Sequence, residues 1–344
     1  MNKQRRRRQI VTLTARQVNL VLELSIVAAL LSGLASWWLG DEWSGGAVLV
    51  HRVTGLVLLV VMPAKARGSV TTGLRRKRAT RWLSLAFGIL VLATIALGML
   101  HATGAWNGVG EWSALWTHQL FAFLLLPLLA WHVVTRPVRP KLTDLNRRLA
   151  LQSGLVAAIG GGLFITQEVF ARVVGLDGKD RRFTGSHEVG SFDPANMPST
   201  IWINDSTPAD TGAEGWSLTI AGKRVSIDAL RSQTQEVVAT IDCTGGWYSE
   251  QSWDCVPLSA VLPEVEGKSV RVESATGYAR LFAHHEMNDV YLAVGYNGEP
   301  LRGRHGAPVR LVAPGQRAPM WIKWVTSVEF DNTRPWLQPP LPLS

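Results

Sequence analysis

The chain has 344 residues, 47% of them hydrophobic and 18% charged, with a formal net charge of +9, a length that suits about two domains. The positive charge does not indicate nucleic acid. Six of the 35 Lys and Arg residues fall in 1–17, seven in 65–81 and five in 136–148, all flanking apolar runs, whereas a nucleic-acid binder gathers them on one folded face. The two cysteines, Cys243 and Cys255, are too few for a disulfide framework.

Taken in chain order, five apolar stretches approach the roughly 20 residues that a membrane span needs: 18–39, 47–64, 82–102, 113–134 and 149–166. The basic start of the chain is followed by no small-residue cleavage site, so the first stretch is expected to be a retained helix and not a signal peptide. Loops 40–46 and 103–112 carry no Lys or Arg, while 1–17, 65–81 and 136–148 are basic. The positive-inside bias then predicts a cytoplasmic N-terminal segment, 1–17, a five-helix transmembrane domain, 18–170, and an extracytoplasmic domain, 171–344, in a multi-pass protein of a bacterial plasma membrane. Trp37, Trp38, Trp43, Trp106, Trp112 and Trp116 crowd the expected outer ends, as an aromatic belt does. The fifth stretch opens Asn146-Arg147-Arg148-Leu149 and is rich in glycine. It resembles a twin-arginine export signal set inside the chain; the plainer alternative is two arginines closing a cytoplasmic loop.

Histidines within spans are costly and usually functional. His51 lies near the outer start of the second stretch and His101 at the outer end of the third, with His118 and His132 on the fourth. The last two are fourteen residues apart, on one helix face and roughly 21 Å from each other. Histidines on neighbouring helices are how membrane b-type cytochromes hold haem. The segment His51-Arg52-Val53-Thr54-Gly55 resembles such helices. Depth favours one outer haem b held by His51 and His118, because Lys65 stands where an inner partner for His132 is needed. The alternative is interfacial histidines bonded to water and head groups. Glu23, inside the first stretch, is expected to pair with a histidine or lysine.

Beyond residue 215, short β-type runs alternate with turns. Strands are predicted over 216–220, 224–227, 237–241, 269–273, 290–294, 309–312 and 321–330, with short helices over 228–232 and 257–262. The fold class is therefore a membrane all-α bundle followed by a soluble α+β, mostly β, domain. Its sharpest motif is Asp242-Cys243-Thr244-Gly245-Gly246-Trp247: a strand ends in a cysteine and then a Gly-Gly turn, which permits close backbone approach to something large. A thiolate there suits a metal ligand; a nucleophile needs a nearby histidine or helix N-terminus. A second motif runs Gly295-Tyr296-Asn297-Gly298-Glu299-Pro300, then His305-Gly306-Ala307-Pro308-Val309-Arg310-Leu311, then Trp321-Ile322-Lys323-Trp324. An Arg fork and a Lys point charge so placed grip a phosphate.

Over roughly 183–332 these motifs resemble the sulfite oxidase-type molybdopterin-binding domain. The resemblance implies a molybdenum–molybdopterin cofactor ligated by Cys243, with His305, Arg310 and Lys323 on the pterin and its phosphate and Trp321 and Ile322 beside them. Two departures stand out. Cys255 occupies a position often held by Gly, which raises either a small buried residue or a disulfide with Cys243. The chain has no room for the extra dimerisation domain of sulfite oxidases, which puts sulfite in doubt as substrate. His284, His285 and Glu286 are expected to form a surface turn, and 183–186 to line the pocket.

The resemblance implies a membrane-bound oxidoreductase. Oxygen-atom transfer with a small substrate would be coupled to a quinone or redox protein through the membrane domain, in a lipid bilayer and without nucleic acid. The alternatives are a non-enzymatic sensor on the same fold and a membrane b-type cytochrome that only conducts electrons.

Overall fold

The computed structural model describes residues 14–67, 75, 80–109, 112–135, 147–200, 205–262 and 266–339. Most of the basic loops, together with Asn146 of the arginine motif, lie outside the described residues. The chain divides into two compact units. One comprises Met1–Ser36 with Glu42–Gly185; the other comprises Trp37–Asp41 with Ser186–Ser344.

The first unit is built on five helices: α1 (Ala15–Trp38), α2 (Trp43–Lys65), α3 (Arg81–Thr103), α4 (Ala114–Thr135) and α5 (Arg147–Val174). All five are long and apolar enough to cross a membrane. Much of their apolar surface faces outward, with Leu24, Leu31 and Ile165 each more than 60% exposed; in water such a surface marks an interaction face. Inside the bundle, Val18, Val21 and Leu22 of α1 pack on Val57, Leu58 and Val61 of α2. Helix α3 lies along α4, and α2 along α5. The last pair approaches closely at Gly160, where an added Cβ would stand 2.7 Å from Val57 Cγ2. A small residue at a helix crossing permits this separation.

Helix α5 runs eight residues past the expected apolar stretch. Gln167, Glu168 and Arg172 end the apolar window but do not break the helix, which stops at Gly175. Its φ of 77° lets Leu176 N–H reach Ala171 O at 2.9 Å, as in glycine-terminated helix ends. Lys65 Nζ donates to Asn19 Oδ1 at 2.6 Å. Two short strands, β1 (Gly108–Val109) and β2 (Trp112–Ser113), pair between α3 and α4.

The second unit contains two sheets. Its strands are β3 (His187–Glu188), β4 (Leu218–Ile220), β5 (Lys223–Val225), β6 (Gln235–Asp242), β7 (Trp247–Pro257), β8 (Ser269–Ser274), β9 (Ala279–Phe282), β10 (Tyr291–Tyr296), β11 (Glu299–Pro300), β12 (Arg310–Val312) and β13 (Val325–Asp331). Strands β3, β6, β7, β10, β11 and β12 form one sheet; the other runs β5-β4-β13-β8-β9. Short helices α6 (Ile227–Arg231) and α7 (Leu258–Val261) flank them. Ser226 caps α6 by accepting from Ala229 N–H at 3.1 Å, as an N-cap serine does.

Two of the departures from the sequence reading bear on the site. Strand β7, eleven residues long, has no predicted counterpart. Its inward positions include Ser249 and Gln251, both fully buried, and they are bonded to Gly190 O and not packed as apolar groups. Conversely, the expected strand over 321–330 begins only at Val325. Trp324 takes a φ of 54°, a conformation that no strand residue adopts. Lys323 therefore sits in the bend before the last strand.

Candidate active site and a histidine pair in the helical unit

Strand β6 delivers Asp242 and Cys243 to the start of a tight turn. Gly246 takes a φ of 90°, and the turn closes by Cys243 N–H to Trp247 O at 2.8 Å. Cys243 is 3% exposed, and its Sγ accepts from Gly245 N–H at 3.3 Å. Burial pushes the thiol up; the Gly245 amide, the Thr200 side chain and the charge of Arg317 oppose this. Both cysteines are free. Cys255 pairs in register with Gln235, at the far end of the β6–β7 hairpin from Tyr248 opposite Asp242. The disulfide alternative is thus not formed.

Asp242 is held from two sides, accepting from Arg317 Nη1 at 2.7 Å and from Ser186 Oγ at 2.7 Å. Arg317 also donates to Cys243 O at 3.2 Å, so a buried ion pair fixes the backbone that carries the sulfur. Of the segment 183–186, Ser186 reaches this group through its hydrogen bond to Asp242; Phe183 packs in the first unit, against Gly45.

Arg310 opens β12 and is 1% exposed. Its guanidinium lies 5.0 Å from the Trp253 ring centre and 5.7 Å from that of Trp321. Nη1 donates to His305 O at 2.9 Å, while Nε and Nη2 are buried with no hydrogen-bond partner. Lys323 Nζ donates to Ser199 Oγ at 3.0 Å, Thr200 O at 3.0 Å and Arg304 O at 2.8 Å. All three acceptors are neutral. Burial first, then the nearby Arg310 charge, bring the Lys323 pKa down to about 7, and the Cys243 sulfur acts in the opposite sense. Burial brings Arg310 down to about 10. Among the described residues no carboxylate forms an ion pair with either cation.

His305 reaches the group through its carbonyl. Its ring nitrogens are both engaged: Tyr296 O–H donates to Nδ1 at 2.8 Å, and Nε2–H donates to Met197 O at 3.1 Å. Carbonyl oxygen only accepts, so this fixes the tautomer. Burial and the charges of Arg310 and Lys323 lower its pKa to about 4, so the ring is neutral at physiological pH. Trp321 walls Arg310, and the Ile322 side chain is in the core while its carbonyl accepts from Leu311 N–H at 2.7 Å. His284–Glu286 forms a 3-10 turn.

The structure thus joins Cys243, Arg310 and Lys323 through Thr200, His305 and direct electrostatics. It adds Ser199, Thr200, Trp253 and Arg317, which the motifs do not mark, and sets Tyr296 of the second motif against the His305 ring. A buried cation without a counter-charge costs several kcal/mol. Buried Arg310 with two unmet nitrogens, and half-buried Lys323 bonded only to neutral oxygens and coupled to the Cys243 sulfur, fit a group that carries both an anion and a thiophilic metal, and molybdopterin is such a group.

In the helical unit, His51 Nδ1–H donates to Ala29 O and His118 Nδ1–H to Thr94 O, each at 2.8 Å. A carbonyl on Nδ1 leaves the lone pair on Nε2, the tautomer that ligates metals. The ring centres are 5.8 Å apart and the rings perpendicular. A metal about 2 Å from each Nε2 sets two imidazole centres about 6 Å apart. Gly33 and Gly98 face these rings, and an added Cβ would lie 3.0 Å from His51 and 3.1 Å from His118. Both histidines line a half-open pocket walled largely by apolar side chains. These residues fit a flat iron tetrapyrrole. His132 does not join them; its ring lies 5.5 Å from that of Phe87. His101 pairs with Arg181, Nε2 to Nη1 at 3.3 Å.

The chain is similar to known proteins over part of its length. Residues 204–336 match the family model described as "Oxidoreductase molybdopterin binding domain". A nitrate reductase [NADH] of Spinacia oleracea is 26% identical over 211 residues, covering 44% of this chain and 23% of that protein. Nitrate reductase [NADH] 1 of Nicotiana tabacum is 24% identical with the same coverage. The chain therefore spans about a quarter of the length of these relatives. The crystal structure of the sulfane dehydrogenase SoxCD from Paracoccus pantotrophus is similar at 28% identity, with a TM-score of 0.34, over 36% of this chain and 40% of that one. The second unit carries an oxidoreductase molybdopterin-binding domain.

Proposed function

We propose that the chain is a membrane-bound molybdenum–pterin oxidoreductase that moves an oxygen atom to or from a small substrate. It exchanges electrons with a quinone or redox protein through the helical unit, by way of a haem b between His51 and His118. The observation that carries the reading is the pair of cations, buried Arg310 with its unmet Nε and Nη2 and half-buried Lys323 bonded only to neutral oxygens, neither in an ion pair with a carboxylate among the described residues, with the Cys243 sulfur acting on the lysine.

When bound, the molybdenum centre supplies the oxygen-atom transfer and its two-electron change, and the protein supplies binding, orientation and tuning. Cys243 offers sulfur at the end of a strand whose backbone Arg317 and Asp242 hold in place. A metal ion there reverses the effect of burial and favours the thiolate. Arg310 directs two unmet N–H groups at a phosphate, and Lys323 adds a mobile point charge. His305 is the brace that aims Arg310, by its carbonyl, and steadies the 197–200 segment, by its ring. The Trp253 and Trp321 faces keep water from the guanidinium, which strengthens its hold on an anion.

In the helical unit, the bundle faces lipid, and the fixed tautomers of His51 and His118 present two Nε2 lone pairs. The alternation of basic loops supports an N-terminus inside, a second unit outside, and export of an already folded domain by the Arg147-Arg148 motif.

The test is metal and pterin analysis of the full chain, purified from a host that makes the cofactor, together with reduced-minus-oxidised spectra. Near-stoichiometric molybdenum is expected. Loss of an outer-shell partner alone costs metal sites about 10- to 100-fold, so Cys243→Ser is expected to lower molybdenum occupancy by at least that. Wild-type protein without molybdenum, or full occupancy in Cys243→Ser, overturns the reading.

A further inference from the structure

The cavity beside the histidine pair is apolar along Leu58, Phe87, Val91 and Leu129, yet Arg52 and Gln167 also line it. Gln167 Nε2 donates to Met99 O at 3.2 Å, which sets the polar end at Met99, roughly 18 Å along α3 from Phe87 by helical rise. Arg52 Nη2 donates to Glu168 Oε1 at 2.5 Å, and its guanidinium lies 4.6 Å from the centre of the Phe164 ring. Phe164 and Glu168 are one turn apart on α5, so that helix forms a shelf holding the cation over α2. Arg52 Nε is buried without a hydrogen-bond partner. The neighbouring Arg181 is differently placed, spending its donors on the carbonyls of His101, Ala102 and Gly185.

A guanidinium in an apolar wall with an unmet donor, one residue after His51, calls for an anion on whatever His51 holds. We infer that Arg52, aimed by Glu168, is the counter-cation for the carboxylate edge of the tetrapyrrole bound between His51 and His118. This inference rests on the haem reading above. Such a carboxylate needs a cation inside a membrane, and charge-assisted N–H donors supply the strongest hydrogen bonds to it. Glu168 keeps Arg52 in place and offsets part of its charge. Arg52 is therefore a positioning residue that also favours the reduced iron, because one-electron reduction adds one negative charge while both histidine bonds remain.

The experiment purifies the wild type and the variants Arg52→Gln, Arg52→Lys and Glu168→Gln from membranes, then measures haem content and midpoint potential. Arg52→Gln is expected to disfavour reduction by about tenfold, which is about 59 mV for one electron. Arg52→Lys stays closer to wild type, and Glu168→Gln shifts the potential the other way. A merely structural ion pair gives the two neutral variants shifts of the same sign, because both break one contact; that result overturns the inference. So does an unchanged potential in haem-loaded Arg52→Gln, which would leave a lipid head group as the anion Arg52 serves. If Arg52→Gln does not assemble, the sign of the Glu168→Gln shift decides. Failure of the haem reading is seen separately, as wild-type protein without a haem b spectrum or as a spectrum that survives His118→Ala.

Discussion

Arg310 is a residue whose surroundings suit an absent anion better than they suit the guanidinium alone. Replacing a poorly compensated buried charge with a well-packed apolar side chain is often neutral or stabilising, by about 1–4 kcal/mol. Arg310→Met fills the space between Trp253 and Trp321 with a flexible apolar group. It is expected to keep or raise the denaturant midpoint of the cofactor-free protein while abolishing cofactor retention; a residue needed only for folding would lower both. Lys323 gives a pH signature. With a pKa near 7 against an ordinary 10.5, it holds its proton below pH 7 and loses it above, so the anion-binding form fades as pH rises from 7 to 9. Affinity for the phosphorylated cofactor is expected to fall by at most about tenfold per pH unit, or about 1.4 kcal/mol, and Lys323→Arg to flatten that slope, as read by cofactor retention after dialysis. Cys243, Arg310 and Lys323 are legible because each sits in a short motif. Arg317 is not. Its partner Asp242 lies 75 positions away, and the two meet only through an isolated bridge between β6 and the turn at 317.

At the scale of elements, periodicity reveals strands whose inward face is apolar and misses those whose inward face is polar and bonded. Strand β7 is of the second sort, with Ser249 and Gln251 satisfied by a neighbouring loop that no local pattern announces. The helices are legible for the opposite reason, since their apolar windows are long; only the end of α5 is displaced, because polar residues close a hydropathy window without breaking a helix. The histidine pair depends on α1 against α2 and on α3 against α4 at one glycine each. Gly98→Ala places a Cβ 3.1 Å from the His118 ring, tighter than most carbon contacts, so the ring must give by a few tenths of an ångström. The ring must turn and stretch its bond to Thr94 O, so the haem b absorbance of purified Gly98→Ala is expected to fall by at least half while the protein still accumulates in membranes. Unchanged absorbance would remove the glycine from the site.

For the whole molecule, the two-part organisation is visible in the sequence as a change from long apolar runs to short alternating ones. The cut between compact units falls at Gly185, some fifteen residues beyond the expected boundary at 170, since 177–185 folds back through Arg181 on the end of α3. Charge alternation between loops yields a topology, and it is open to test. A reporter that requires an oxidising compartment, fused after residue 344, is expected to be active, and the same reporter placed before residue 18 to be silent.

The β6–β7 hairpin acts as a spacer between the two sulfurs of the chain. Seven residues of extended strand separate Tyr248 from Cys255, roughly 23 Å, so Cys243 and Cys255 lie far outside bonding range, whose Cα separation reaches only about 7 Å. Their union is open only to a chain that has not yet formed this hairpin. In an oxidising compartment a strand arriving extended risks a crosslink that consumes the thiol of Cys243, whereas one arriving with the hairpin zipped cannot make that error. Under the proposed export, the placing of the thiols therefore favours completing the domain before it crosses.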